Sequence, residues 1–474
     1  MTSTVSLKMV DGVRIVVPDS LNLITCYVLR EQEDWFEDEI RFLRRLLRPA
    51  QQVIDIGANF GVYTLSMAQS VGPTGRVWAF EPASSTARLL TESIAINQFG
   101  HIVLEQCALS STSGTLRLTL NDNSEMNALV RDSEPSGASE AVRVTTLDEC
   151  SERNGWRDIA FVKIDAEGEE HNILQGGKRF LAEHSPLVQY EVKAGNDLHL
   201  DLVERFGALG YQSYRLVPGL GLLVPFDRAA GADRYLLNLF ACKQDRAKTL
   251  AELGFLVSGP DTAPPAAKTG ALSAIWSRFT NRLAYDWSTS LGRLPYGRQL
   301  IGLWKRTMSA PDARPEVAEA LHQYAISRDT AQSGSHRFAA LEKSVSLFKS
   351  LTDGEARGLR LASLARAAAE LGERSLAVSA LQRLCEDVQR RKKVDLDEPF
   401  LAPSPRFDNI APGESIGDWV MAAALEELER LGAYSSFYTR DATLPRLDAI
   451  LALGFGSAEM KRRSALIRQR FAPR

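Results

Sequence analysis

Val53-Ile54-Asp55-Ile56-Gly57-Ala58-Asn59-Phe60-Gly61 is the stretch that decides the fold. A short apolar run ends in a glycine-bearing turn, and Val62 to Ser70 continues with a helical pattern. Strand, tight turn and helix in direct succession are the first half of a βαβ unit. Gly57 suits the turn, and Gly61 is expected to let a ligand approach the start of the helix with no Cβ in the way. A dinucleotide site wants Gly-x-Gly-x-x-Gly, with pyrophosphate seated on the helix N-terminus. Here the run is Asp-x-Gly-x-Asn-x-Gly, with a carboxylate at the strand end. The plain structural alternative for Asp55 is a helix cap.

The same rhythm extends on both sides. Arg76–Phe80, Ile102–Leu104, Ile159–Ile164 and Leu187–Val192 are apolar strand runs, with helical patterns at 86–97, 170–181 and 198–209. Near-continuous apolar strands alternating with helices imply a doubly wound α/β fold, its parallel sheet covered on both faces. Two further apolar runs, 219–225 and 235–242, close this half. Upstream, Val5–Val10 and Val13–Val17 flank Asp11-Gly12 and read as a hairpin. A helix follows, with Phe36, Ile40, Leu43 and Leu47 on one face, acidic residues in its first turn and arginines in its last.

The chemistry lies at the strand ends. An anion repels a pyrophosphate and attracts an ammonium group. S-adenosylmethionine offers an α-ammonium and a sulfonium where a dinucleotide offers phosphates, and it is the cofactor that Asp55 suits. Glu81 follows the strand 76–80, where an acidic residue can accept both ribose hydroxyls. That feature is shared with dehydrogenases and discriminates weakly. A third strand runs into carboxylates in Val162-Lys163-Ile164-Asp165-Ala166-Glu167-Gly168-Glu169-Glu170, and Glu191 repeats the pattern on the next. Glu169 reads as a solvated helix residue. Asp165 and Glu167 are of the type that coordinates hard divalent cations, but no His and Asp cluster completes a set, so no metal is assigned.

Taken in order, the motif at 55–61, Phe80-Glu81-Pro82, Ala108-Leu109-Ser110, Thr146-Leu147-Asp148, Lys163–Gly168 and Glu191 resemble the FkbM-type methyltransferases over about residues 30–245. The resemblance implies a class I methyltransferase Rossmann-like fold and methyl transfer from S-adenosylmethionine to a hydroxyl of a sugar, glycan or secondary metabolite. It places Asp55, Gly57, Asn59 and Gly61 at the methionine part of the cofactor, Glu81 at the ribose, and Ala108 and Leu109 at the adenine. Asp165, Glu167 and Glu191 fall at the transfer end. A hydroxyl acceptor benefits from a general base, because it is too weak an acid to ionise near neutral pH. Asp165 is the first candidate, then Glu191, then His171; Glu167 is read as a substrate or metal contact.

The domain plan has three parts: a methyltransferase domain over 1–257, a Pro/Ala-rich linker over 258–270 and an all-α domain over 271–474. In the last, Leu361, Leu364, Ala365 and Ala368 and then Ala377, Leu381 and Leu384 form stripes across the turn 371–374, like one tetratricopeptide-type helix pair or an unspecialised helical hairpin. Pro-rich 394–418 reads as irregular. Trp276, Trp287 and Trp304 sit among arginines, suited to membrane, sugar or simple helix packing, and Lys461-Arg462-Arg463 reads as a solvated face. A net charge of −3 gives no reason to bind nucleic acid, and five scattered cysteines argue against a disulfide framework or a zinc site. With no membrane-length apolar run or secretory pattern, the expected location is the cytoplasm. The expected partners are a small-molecule or glycan acceptor and a protein bound by the helical half. The competing reading is a scaffold that retains a methyltransferase fold with little activity.

Overall fold

The computed structural model describes residues 3–121, 124, 127–130, 137–194, 197–257, 291–309, 315–354, 357–391 and 393–471. The expected linker, Trp276 and Trp287 lie outside the described residues. The chain divides into two compact units: Met1–Leu216, Leu223–Ala232 and Leu236–Leu256 in one, and Val217–Leu222, Asp233–Tyr235 and Val257–Arg474 in the other.

The first unit begins with an antiparallel hairpin of β1 (Thr4–Lys8) and β2 (Arg14–Pro18). Gly12 takes φ +90° in its turn. Two helices follow, α1 (Ile24–Gln32) and α2 (Asp38–Leu46). The central sheet is built from β3 (Gln52–Ile56), β4 (Arg76–Phe80), β5 (Ile102–Glu105), β10 (Ile159–Ile164) and β11 (Leu187–Glu191), with β14 (Gln212–Val217), β15 (Leu222–Pro225) and β16 (Asn238–Cys242) at one edge. Its order is β15-β14-β16-β11-β10-β3-β4-β5. The five strands from β5 to β11 are parallel, whereas β16 runs antiparallel to β11 and β14 antiparallel to β16.

Alternation along the strands explains the burial. Val53, Phe161 and Leu187 join one apolar cluster, while their neighbours Ile54, Val162 and Val188 join another on the opposite face. Every second side chain points to the same face, so strands covered on both faces must be apolar at nearly every position. The covering helices include α3 (Val62–Val71), α4 (Ser84–Asn97), α5 (Leu147–Asn154), α6 (Glu170–Gly176), α7 (Lys178–His184), α8 (Asp201–Ala208) and α9 (Gln244–Glu252).

Two features depart from the sequence reading. The helix expected over 170–181 is two helices, parted at Gly177. A Cβ on Gly176 would lie 2.2 Å from the Ser110 carbonyl oxygen, and one on Gly177 would lie 2.8 Å from Leu147. The break therefore lets the backbone pack closely. A second, four-stranded sheet, of order β6-β9-β7-β8, is built from β6 (Ala108–Leu109), β7 (Gly114–Thr119), β8 (Leu129–Val130) and β9 (Ser139–Thr145). A small hairpin pairs β12 (Lys193–Ala194) with β13 (Asp197–Leu198).

The second unit is mainly helical, with helices at Gly297–Ser309, Pro315–Arg328, Gly334–Gly354, Gly358–Leu371, Arg374–Arg391, Ile416–Gly432, Leu444–Ala452 and Ala458–Phe471. Gly372, at φ +89°, ends the helix Gly358–Leu371, and the next begins two residues later. The Pro-rich segment is irregular, yet it supplies core: Phe400, Leu401, Ala402 and Phe407 are buried. The last helix is not simply a basic solvated face, since Arg463 is 1% exposed and pairs with Glu459 and Glu429. No helix among the described residues is long and apolar enough to cross a membrane.

Candidate active site

A cleft opens at the carboxyl ends of β3 and β10, where the strand order reverses, with β4 and β5 to one side and β10 and β11 to the other. Loops leaving the two strands diverge at such a switch point, which is where open α/β sheets bind ligands. Asp55, at the end of β3, is 1% exposed. Its Oδ2 accepts the Thr64 hydroxyl at 2.5 Å, while its buried Oδ1 has no hydrogen-bond partner. Burial pushes this carboxyl upward, with Lys163 and the Thr64 bond pulling the other way. A buried acceptor without a donor costs about 1–3 kcal/mol, and a bound ammonium at the cleft would supply the donor.

The turn after Asp55 is clamped from two sides. The amides of Gly57 and Ala58 both donate to the Phe80 carbonyl, at 3.1 and 2.9 Å. Gly57 has φ +81°, and a Cβ there would stand 1.7 Å from the Asp165 carbonyl oxygen. Asn59, at φ +48°, donates its amide to Glu81 Oε2 at 2.9 Å, and its Oδ1 accepts the Ser124 hydroxyl at 2.9 Å. Glu81 Oε1 accepts the Ala83 amide at 2.8 Å. Burial pushes the Glu81 carboxyl up to about 7.

Gly61 requires a correction. It has φ +92°, but its missing Cβ faces Leu90 at 2.4 Å, and it does not line the cleft. Its role is helix packing rather than ligand approach. Ala108 and Leu109, in β6, do line the cleft together with Asp55, Gly57, Asn59 and Glu81.

At the other end, Lys163 is paired with Asp55 on β3 and with Gln189 on β11 in the strand register. It is 4% exposed. Its ammonium donates to Asp165 Oδ2 at 2.7 Å and lies 4.8 Å from the Tyr63 ring centre. Burial alone would lower this ammonium, but Asp165, Asp55 and Glu37 around it hold it above the ordinary lysine range. Glu191 adjoins Asp165 at the end of β11, and the nearest carboxylate oxygens of Asp165, Glu167 and Glu191 lie within 4.8 Å of one another. Burial, then the negative charges of Asp165, Glu167, Glu170 and Glu37, push Glu191 up to about 10. This third carboxylate makes a group able to hold a cation that the local spacing of Asp165 and Glu167 does not reveal.

Further expectations change. His171 is exposed on α6, and neither it nor Glu191 lines the cleft; Glu191 reaches the site only through its neighbour Asp165. Glu169 is 8% exposed, and it accepts the Ser110 hydroxyl at 2.7 Å rather than pointing to solvent. Among the cleft residues to which the sequence reading gave no role are Glu37, Tyr63 and Lys163. Lys163 carried a signal, a charge inside an otherwise apolar strand. Glu37 and Tyr63 lie on helical patterns whose orientation only packing decides.

Residues 55–213 match the family model described as the Methyltransferase FkbM domain. No curated protein matches the chain. Among solved structures, the methyltransferase FkbM from Methylobacillus flagellatus KT is similar at 17% identity and TM-score 0.28, over 43% of this chain and 50% of its own. The chain thus spans half the length of that relative. A SAM-dependent O-methyltransferase from Thermotoga maritima is similar at 14% identity and TM-score 0.25, over 50% of this chain and 77% of its own. An rRNA methylase from Streptococcus thermophilus gives 11% identity and TM-score 0.25, over 44% of this chain and 95% of its own.

Proposed function

With residues 55–213 forming a domain of the FkbM methyltransferase family, we propose that the protein transfers the methyl group of S-adenosylmethionine to a hydroxyl of a sugar, glycan or secondary metabolite. The observation that carries this reading is the buried Oδ1 of Asp55, a carboxylate oxygen with no donor at the edge of the cleft. In this reading Asp55 pairs with the cofactor's ammonium, beside the turn of Gly57 and Asn59. Glu81 accepts the ribose hydroxyls on lone pairs left by its two backbone amides, and Ala108 and Leu109 flank the adenine. S-adenosylmethionine supplies a methyl carbon already activated by a sulfonium, so much of the rate comes from holding the acceptor in line with it.

Asp165 is the general base of this reading and takes the proton of the acceptor hydroxyl. Lys163, on Asp165 Oδ2, fixes the orientation of that carboxylate. Glu191 keeps its own proton at neutral pH and donates or accepts a hydrogen bond beside the base. The test is calorimetric titration of S-adenosylhomocysteine into the full-length chain. Micromolar binding is expected. Asp55→Asn, which keeps shape and removes charge, is expected to weaken it about 10- to 100-fold, the worth of about 1.5–3 kcal/mol for a hydrogen bond to a charged group. Unchanged affinity would remove the ammonium pairing.

A further inference from the structure

One carboxylate in the cleft comes from outside the family segment and lies away from the cofactor end. Glu37 stands at the N-terminus of α2. Its Oε2 accepts the Tyr63 hydroxyl at 2.5 Å and Asn238 Nδ2 at 3.1 Å, and its Oε1 accepts Trp35 Nε1 at 2.9 Å. The donors come from α3, from β16 and from the loop before α2. Asn238 is opposite Glu191 in the β11–β16 register, so this network reaches the side of the sheet beyond β10. Asp55 and Glu81 lie at β3 and β4, on the other side.

An acidic residue in a first helical turn is at ease in water, and drawing it into a cleft costs free energy unless donors meet it. Three donors do so here, and the Lys163 ammonium with the Tyr63 and Trp35 bonds works against the upward push that burial gives this carboxyl. A carboxylate offers about four acceptor positions, and these bonds fill both on Oε2 and one on Oε1. One position on Oε1 remains, on a side chain that lines the cleft. The charge of the surroundings narrows what can use it. Among the described residues the one lysine or arginine lining the cleft is Lys163, and its ammonium already bonds Asp165. An anionic acceptor would meet Glu37 and Asp165, and no uncommitted lysine or arginine among the described lining residues offsets them. Trp35 also lines the cleft, its N–H committed to Glu37, and so has only carbon surface left to present.

We propose that Glu37 is an acceptor-binding residue: its remaining acceptor position takes a second hydroxyl of an uncharged polyhydroxy acceptor, and its charge excludes phosphorylated or carboxylated ones. This rests on the proposed hydroxyl methylation. The test is saturation-transfer NMR on the full-length chain with saturating S-adenosylhomocysteine, using methyl α-D-glucopyranoside and the same glycoside carrying a 6-phosphate. The neutral glycoside is expected to bind at least about tenfold more tightly than the phosphate. Glu37→Gln is expected to weaken the neutral glycoside about tenfold, to narrow the phosphate's disadvantage and to leave S-adenosylhomocysteine affinity within about twofold. Trp35→Phe keeps a ring and removes one donor to Glu37; it gives a smaller loss and keeps the test decisive where the Glu37 variant does not fold. Equal binding of the two glycosides, no binding of the neutral one to a chain that binds S-adenosylhomocysteine, or unchanged affinity in both variants overturns the proposal. A wild-type chain that does not bind S-adenosylhomocysteine overturns the methyltransferase reading instead.

Discussion

Gly57 and Gly61 stand four residues apart with similar positive φ, and the chain treats them differently. A methyl group on Gly57 meets backbone, the Asp165 carbonyl at 1.7 Å, whereas one on Gly61 meets the end of a leucine side chain. Backbone cannot step aside cheaply and a leucine rotamer can. Gly57→Ala is therefore expected to cost about 3 kcal/mol or more and to abolish S-adenosylhomocysteine binding. Gly61→Ala should cost about 1–2 kcal/mol and leave that affinity within about twofold. Urea unfolding and calorimetry on the two variants check both. Glu191 yields a pH prediction. Folded, it holds its proton to about 10 against an ordinary 4.5, for burial first and then for neighbouring carboxylates. Its contribution to stability is whole below about pH 4.5 and is lost as the pH rises toward 10, because the unfolded chain releases the proton first. Glu191→Gln should therefore gain stability relative to the wild type between pH 5 and pH 9, read by urea unfolding at each pH.

Among the elements, β10 links fold and chemistry. Its run Ile159-Ala160-Phe161-Val162-Lys163-Ile164 reads plainly as a buried strand, and the parallel register sets Lys163 between Asp55 and Gln189. Lys163→Met removes the cation and leaves Asp165 and Asp55 facing one another's charge. A loss of about 3–5 kcal/mol is expected, measured by urea unfolding. The central strands were legible because their apolar runs are long and bounded by turns, and the reading of 53–56, 76–80 and 159–164 agrees with β3, β4 and β10 to within a residue. The four-stranded sheet was not. Gly114–Thr119 and Ser139–Thr145 carry exposed polar positions and gain their order from pairing with each other, which is a nonlocal event. Nor was the break at Gly177, which depends on a leucine thirty residues upstream.

Across the whole molecule, the helical unit shows what composition leaves open. The Pro-rich segment is irregular, as its sequence suggests, but burial is decided elsewhere: Glu398 within it is 4% exposed and bonds Arg360, itself 3% exposed, at 2.7 and 2.5 Å. Arg360→Met leaves that buried carboxylate only its more distant partner, Arg357 at 3.2 Å, and a loss of about 3 kcal/mol is expected; Arg360→Met with Glu398→Leu should recover most of it, because neither member of the closer pair then remains buried. Urea unfolding of the single and double variants tests this. The sequence by itself determined the βαβ order, the two-faced apolar sheet and the acidic strand ends, because each is written in neighbouring residues and in a period of two. Only the tertiary structure decided which acids meet. Glu37 joins Asn238 and Tyr63, Glu191 joins Asp165, and His171 and Gly61 are left outside the cleft. These placements depend on how strands cross over and on which face a helix presents, and long-range packing sets both.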